Sequence, residues 1–421
     1  MVIGKGEVGP PPSAVDGRGV AAAALALSLV LLAAGLLDIA LPVLVGLALA
    51  AWAVPIAIHD LFVRRVYRRA GIEPGRLART PPAYGRLGVK LAGVGLTVLG
   101  LGVAYAVLVP PALPFAPGFA RFILWALPWL PVMLGVAVAY VVVVDAMMTE
   151  PEDALFETGS LALGRWRGRD WAAIREHALA WVIKGFFLPL MASYLVGNLA
   201  ALMRFEGAAS VVSVVVFVSA VALVFDLVIV TCGYCLTLRP LDAHIRSANP
   251  FILGWIACLA CYMPFAILTL RVLFEYRDGL DWEDWFAGSP LAYAWAVAIV
   301  ALSVAWIWAN MMFGLRFSNL TNRGIVTNGP FRYTKHPSYI AKNLRWWLIH
   351  VPFLSALGWQ EAAMHSAALV AVNLIYVLRA RTEERHLMED PAYRAYAAWI
   401  AEHGLFARLV RAVRPARLRA A

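Results

Sequence analysis

Charge is scarce in this chain. Asp, Glu, Lys and Arg account for 15% of its 421 residues, where a soluble domain carries about 25%, so an ordinary soluble globular protein is excluded. The alternation of polar and apolar positions that builds a membrane β-barrel is also missing. There are four cysteines, none in the acidic loop, which is too few for a disulfide framework. No nucleic-acid module accompanies the net charge of +10, so nucleic acid is not expected as a partner. Neither an internal repeat nor a pair of broken helices marks a transporter. The first apolar run lacks a clear small-residue cleavage site and reads as a retained helix rather than a signal peptide.

What the chain has is apolar length. Hydrophobic residues make up 62% of it, and the mean hydropathy is +0.73. About ten segments approach or exceed the ~20 residues that cross a bilayer as a helix. They are 20–37, 41–59, 87–109, 121–144, 181–203, 210–234, 251–274, 291–315, 344–358 and 363–379. In lipid such runs must be helical, because only helices and closed barrels satisfy all their backbone groups. The expected fold class is all-α and integral to the membrane, with about ten transmembrane helices. The first and last pairs are short and predict tight hairpins, one turning at Asp38 and Pro42, the other at Gly358-Trp359-Gln360-Glu361.

Loop charge predicts the orientation. Arg64, Arg65, Arg68, Arg69, Arg76, Arg79, Arg86 and Lys90 crowd one loop. Arg381, Arg385, Arg394, Arg408, Arg411, Arg414, Arg417 and Arg419 mark the tail, while Glu275, Asp278, Asp281, Glu283 and Asp284 dominate another loop. The positive-inside rule puts the basic loops and both termini in the cytoplasm. Abundant Ala and Arg with no organelle signal fit a bacterial inner membrane. Residues 1–19, rich in Gly and Pro, predict a disordered lead. Residues 145–180 start acidic and continue with Trp166, Arg167 and Trp171, reading equally as an interfacial segment or a connector.

Dense polar chemistry gathers near the C-terminus. The first stretch runs Gly329, Phe331, Tyr333, then Lys335-His336-Pro337-Ser338-Tyr339; the second holds Arg381-Thr382-Glu383-Glu384, Tyr393 and Tyr396. Pro337 fixes its own φ and pushes His336 out of the helical region, orienting the ring just before a helix begins. Ser338 lies at that helix start, where free N–H groups favour an anion. The two stretches, in this order and separation, resemble the isoprenylcysteine carboxyl methyltransferase family and its bacterial relatives. The resemblance covers roughly residues 290–400. Lys335 stands where the family has Arg, and Ala341 where a Gly often follows the Tyr.

The resemblance implies an S-adenosylmethionine-binding methyltransferase unit over 290–400, preceded by an accessory transmembrane domain over 20–289 and followed by a basic cytoplasmic tail over 401–421. It implies cofactor contacts from Gly329, Tyr333, Lys335, His336, Pro337, Tyr339, Glu383 and Glu384, and no metal. The expected acceptor is hydrophobic or lipid-linked; whether its methylated atom is O, N or S stays open. Arg381 and Arg345 are the candidates for orienting that acceptor, each alternatively an interface anchor. The accessory helices either shape a lipid-side entry or mediate homo-oligomer formation. Two other readings stand beside this one: an NADPH-dependent sterol- or polyene-type reductase with a similar His-Pro-x-Tyr segment, and a non-catalytic scaffold or transporter. His350 reads as a satisfied interior histidine. Asp226 and Asn198 read as interhelical hydrogen-bonding groups, with a pocket role open. The pairs Cys232/Cys235 and Cys258/Cys261 are either small buried residues or a four-thiolate site.

Overall fold

Apolar length becomes helix along nearly the whole chain. The computed structural model describes residues 9–79, 81, 83–112, 114, 116–207 and 209–413. α1 (Gly17–Leu36) starts where the Asp16 side chain accepts from the Arg18 N–H, satisfying a donor that the first turn leaves free. It returns as α2 (Leu41–Ile58), with Pro42 in the first turn, the hairpin expected from the sequence. α3 (Tyr84–Ala112) follows. Then α4 (Pro117–Ala126) and α5 (Leu130–Met147) are joined by a 3₁₀ turn containing Pro128. After the short α6 (Ala154–Ala162) come α7 (Trp171–Met203) and α8 (Val211–Cys235). α9 (Ile252–Leu259), α10 (Leu270–Phe274) and α11 (Trp282–Phe286) are fragments. α12 (Leu291–Met311), α13 (Pro337–His350), α14 (Trp359–Leu387), α15 (Pro391–His403) and α16 (Leu405–Val413) complete the chain.

Among the described residues, eight helices are long and apolar enough to cross a membrane, and the protein is a multi-pass membrane protein. Two of the expected spans fall short of that. Segment 251–274 breaks into α9 and α10 around Pro264, where a helix would lose a hydrogen bond and meet the ring. Segment 344–358 is replaced by α13, which begins earlier and stops at Val351, φ +40°, just before Pro352. Both still run between the same two ends of the bundle. At one end Asn249 Nδ2 donates to Thr382 O at 3.4 Å, and Asn322 Nδ2 to Asp390 Oδ2 at 2.7 Å. At the other, Arg277 meets Glu361 and His350 meets Asp281 at 2.9 Å. The first is called the signature end below.

Two expectations about non-membrane segments change. The N-terminal lead is not a loose tail where it is described. Ala14 N donates to Ile325 O at 2.8 Å, Thr327 Oγ1 to Pro11 O at 2.6 Å, and Asn328 Nδ2 to Val15 O at 3.0 Å. Val15 is buried in the core. Gly and Pro content signals disorder only when no partner is at hand, and here residues 325–328 supply one. Residues 1–8 of the lead, and Arg414, Arg417 and Arg419 of the tail, lie outside the described residues. Segment 145–180 is more than a connector, because Lys90 on α3 pairs with Asp145 at 3.0 Å and with Asp153 at 3.2 Å, drawing α6 onto α3.

Candidate active site

The site is built on the linker between α12 and α13. Buried Arg323 fixes that linker by donating to Gly233 O at 2.7 Å, Phe317 O at 2.8 Å, Leu236 O at 3.4 Å and Ala243 O. Two of these are among the last carbonyls of α8, which have no partner within the helix and attract a cation. Phe317 lies so close that a Cβ on Gly233 would sit 2.3 Å from its carbonyl oxygen. Arg316, also buried, adds bonds to Asp60 at 3.3 Å and Leu241 O at 3.1 Å. From this platform the chain turns into α13 at Pro337, with His336 held at φ −129°, ψ 56°.

α14 crosses this helix start and supplies the carboxylates. Glu384 accepts from Lys335 Nζ at 2.9 Å through one oxygen and pairs with His336 Nε2 at 2.9 Å through the other. The His336 ring stacks on Tyr339, with centroids 5.4 Å apart and planes within 6°. Tyr339 Oη in turn donates to Glu383 Oε2 at 2.9 Å. Neighbouring glutamates on one helix thus hold the two ends of one ring stack. α15 props the loop from beneath, where Tyr396 Oη donates to Phe331 O at 2.8 Å.

These side chains border a cavity of about 350 Å³, within the range of small-molecule sites. Lys335, His336, Pro337, Ser338, Tyr339 and Glu383 line it at the signature end. The break between α9 and α10 contributes Cys261, Tyr262 and Met263, in keeping with irregular backbone being tolerated at membrane depth only where it lines a cavity or is covered by protein. Asp226 from α8 and Lys342 from α13 line it too. Tyr393 also lines it, and its Oη is buried with no partner among the described residues. Burial, with Glu384 and Glu383 nearby, pushes the Tyr393 phenol far up, so it remains a donor awaiting an acceptor.

Five of the expected cofactor residues come together here: Lys335, His336, Pro337, Tyr339 and Glu383 line the cavity, with Glu384 behind them. Gly329 and Tyr333 do not. Gly329 has φ +56° and packs against Met312 and Trp308, so it shapes the turn. Tyr333 is exposed, with the Arg408 guanidinium over its ring at 5.9 Å. Arg381 is exposed, outside the cavity wall, and without a hydrogen-bond or ion-pair partner among the described residues. Arg345 is occupied between helices, donating to Ser303 Oγ at 2.8 Å and Ser219 Oγ at 2.6 Å, and does not line the cavity either.

The cation that does face the cavity from α14 is Arg379. It is 9% exposed, donates to Asn319 Oδ1 at 2.5 Å and lies over Tyr339, Tyr262 and Tyr376 at 5.3, 5.5 and 6.0 Å. Residues two apart on a helix point to nearly opposite sides, so Arg379 faces in where Arg381 faces out. Of the remaining polar residues, His350 is satisfied by Asp281 and packs on Phe274. Among the described residues Asn198 bonds only within its own helix, to Tyr194 O at 2.9 Å. All four cysteines are free, and no group of three or more His, Cys, Asp or Glu side chains among the described residues is placed to hold a metal.

A cavity bordered by charged side chains within a helical membrane bundle defines the class: a multi-pass membrane protein with a candidate site near the signature end. Residues 291–389 match the model of the isoprenylcysteine carboxyl methyltransferase (ICMT) family, so the segment carrying α12 to α14 is ICMT-like and supports a membrane methyltransferase. No curated protein and no solved structure matches the chain.

Proposed function

We propose that the protein transfers a methyl group from S-adenosylmethionine to a hydrophobic acceptor dissolved in the membrane, with the cavity as the site of both. The observation that carries this reading is the cluster of Lys335, His336, Tyr339, Glu383 and Glu384 around the cavity, inside the family-matched segment. S-adenosylmethionine supplies a methyl group on a cationic sulfur, together with a carboxylate, an amino group, ribose hydroxyls and an adenine. The residues present fit that inventory. Lys335 and the free N–H groups at the start of α13 suit the carboxylate. Glu383 suits the amino group or the ribose hydroxyls, and Tyr393 offers an unused donor. Glu384 acts on the site indirectly, by holding His336 and Lys335 in place.

Methyl transfer draws heavily on alignment and the exclusion of water. Positioning of this kind supplies up to roughly 7–11 kcal/mol in favourable cases. A site inside the bundle, walled by α8, α12, α13 and α14, selects molecules already in the bilayer. The basic loops support a cytoplasmic signature end in this reading, on the side where S-adenosylmethionine is available. The test is to titrate detergent-purified protein with S-adenosylmethionine and, separately, with NADPH. Saturable binding of the first alone is expected. Binding of NADPH alone turns the reading to a reductase, and binding of neither refutes an enzyme using these cofactors.

A further inference from the structure

Two ionisable side chains deep in the cavity face one another's charge without forming an ion pair among the described residues. Asp226 Oδ1 accepts from Asn310 Nδ2 at 2.6 Å, but its Oδ2 has no hydrogen bond or ion pair among the described residues. Lys342 Nζ likewise has none; it lies over Trp306 at 5.1 Å and Trp346 at 5.9 Å. Trp306 and Asn310 are one turn apart on α12, so ammonium and carboxylate flank one helix face without forming an ion pair. Both line the cavity. Asp226 lies seven residues before Gly233 on α8, about 10 Å below the Arg323 platform. Ionisable side chains at such depth are costly and mark function.

We propose that Asp226, Asn310 and Lys342 form the subsite for the acceptor's reacting group, and that this group is a neutral hydroxyl whose proton Asp226 accepts. The proposal rests on the methyltransferase reading above and adds the acceptor class to it. A hydroxyl donates one hydrogen bond and accepts others, complementing a carboxylate on one side and an ammonium on the other. A carboxylate in the same place would oppose Asp226, and a charged amine would oppose Lys342. Arg379 is the other charge near Asp226, and it is already bonded to Asn319. In the reaction, the hydroxyl oxygen attacks the methyl carbon of S-adenosylmethionine. The carbon–sulfur bond breaks with its electron pair going to sulfur, the hydroxyl proton passes to Asp226, and a methyl ether and S-adenosylhomocysteine leave. Asp226 lies outside the family-matched residues 291–389, so the likeness to the family does not assign this role.

The experiment uses full-length protein in phosphatidylcholine nanodiscs with methyl-labelled S-adenosylmethionine. Hexadecanol, 4-nonylphenol, hexadecylamine and hexadecanoic acid are offered separately. The expected product is an alkali-stable methyl ether on the alcohol or the phenol. Asp226→Asn is expected to bind S-adenosylmethionine as the wild type does yet to turn over roughly 100-fold more slowly, the scale of a lost general base, with the rate recovering as pH rises. Lys342→Gln is expected to raise the acceptor KM more than it lowers kcat. Transfer to the acid or the amine in place of the hydroxyl compounds, transfer to none of the four, or full turnover by Asp226→Asn overturns the proposal. Failure of the wild type to bind S-adenosylmethionine at all overturns the underlying methyltransferase reading, and this proposal with it.

Discussion

Arg379 and Arg381 sit two residues apart on α14 and should behave oppositely. Arg379 donates one short charged hydrogen bond to Asn319 at 2.5 Å and lies over three tyrosine rings at 5.3 to 6.0 Å. Losing a hydrogen bond to a charged group costs about 1.5–3 kcal/mol, and a partly desolvated cation–π contact is worth about 0.5–2 kcal/mol. If only the hydrogen bond is felt by the bound cofactor, affinity falls by roughly ten- to a hundredfold. Arg379→Lys retains the charge but loses the planar fork, and is expected near the lower figure. Arg379→Ala is expected near the upper one. Arg381→Ala removes an exposed side chain with no partner among the described residues, and such substitutions stay within about 0.5 kcal/mol. Calorimetric titration of S-adenosylmethionine into each detergent-purified variant, with thermal unfolding to confirm folding, makes the comparison. Wild-type affinity in a folded Arg379→Lys beside a tenfold loss in Arg381→Ala refutes the inward and outward assignment.

Other outcomes follow from the same geometry. Glu384→Gln breaks two charged contacts of 2.9 Å but leaves the cavity wall intact. Because the pair is partly exposed the cost is discounted, and a three- to thirtyfold loss of cofactor affinity is expected, roughly 0.7–2 kcal/mol; Glu384→Asp should recover part of it, and an unchanged affinity refutes the role. After Cys235 is replaced by Ser, a cysteine at Glu402 should react only with reagent from the cytoplasmic side and one at Asp284 only from outside; the reverse pattern refutes the orientation. Burial pushes the His244 imidazole down to about 4, so the unfolded chain binds the proton first as pH falls. The part of the stability that His244 contributes is therefore full above about pH 6.5 and lost towards pH 4, on the order of 3 kcal/mol. Thermal unfolding of His244→Gln across that window should show a shallower slope than the wild type.

The sequence reveals the helices better than it reveals their faces. Apolar length alone places α1 to α3, α7 and α8 within a few residues at most of their ends, apart from the polar extension of α7 back to Trp171. It cannot show that Pro264 breaks segment 251–274, because hydropathy does not record where the backbone must bend. Lys335, His336, Tyr339, Glu383 and Glu384 are legible as a group, since each belongs to a local pattern whose spacing survives folding. Arg379 is not legible, for a specific reason. An apolar run ending at 379 makes Arg379 and Arg381 look like the same helix-end anchor, whereas α14 continues to Leu387. Helical phase then separates them. Lys342 is hidden in a similar way, because nothing local distinguishes an inward lysine on α13 from one reaching out to the lipid headgroups.

Long-range contacts explain why the signature stretch does not stand alone. The family-matched segment 291–389 supplies Lys335, His336, Tyr339, Glu383 and Arg379, but the cavity also needs Asp226, Asn249 and Tyr262 from earlier in the chain and Tyr393 from beyond it. Arg323 is the joint between these parts. Its single guanidinium grips the end of α8 and the linker that leads to His336. The depth of Asp226 and the position of His336 are therefore set by one another. The lead acts on the same linker from the other side, through Pro11, Ala14 and Val15 on Ile325, Thr327 and Asn328. Among the described residues the buried Arg323 guanidinium is satisfied by backbone carbonyls with no carboxylate paired to it, and such an arrangement is tolerated only where the surrounding packing holds the carbonyls in place. The helices before residue 290 thus do more than surround the cavity: α8 forms part of its wall, and its C-terminus holds the signature loop in register with that wall.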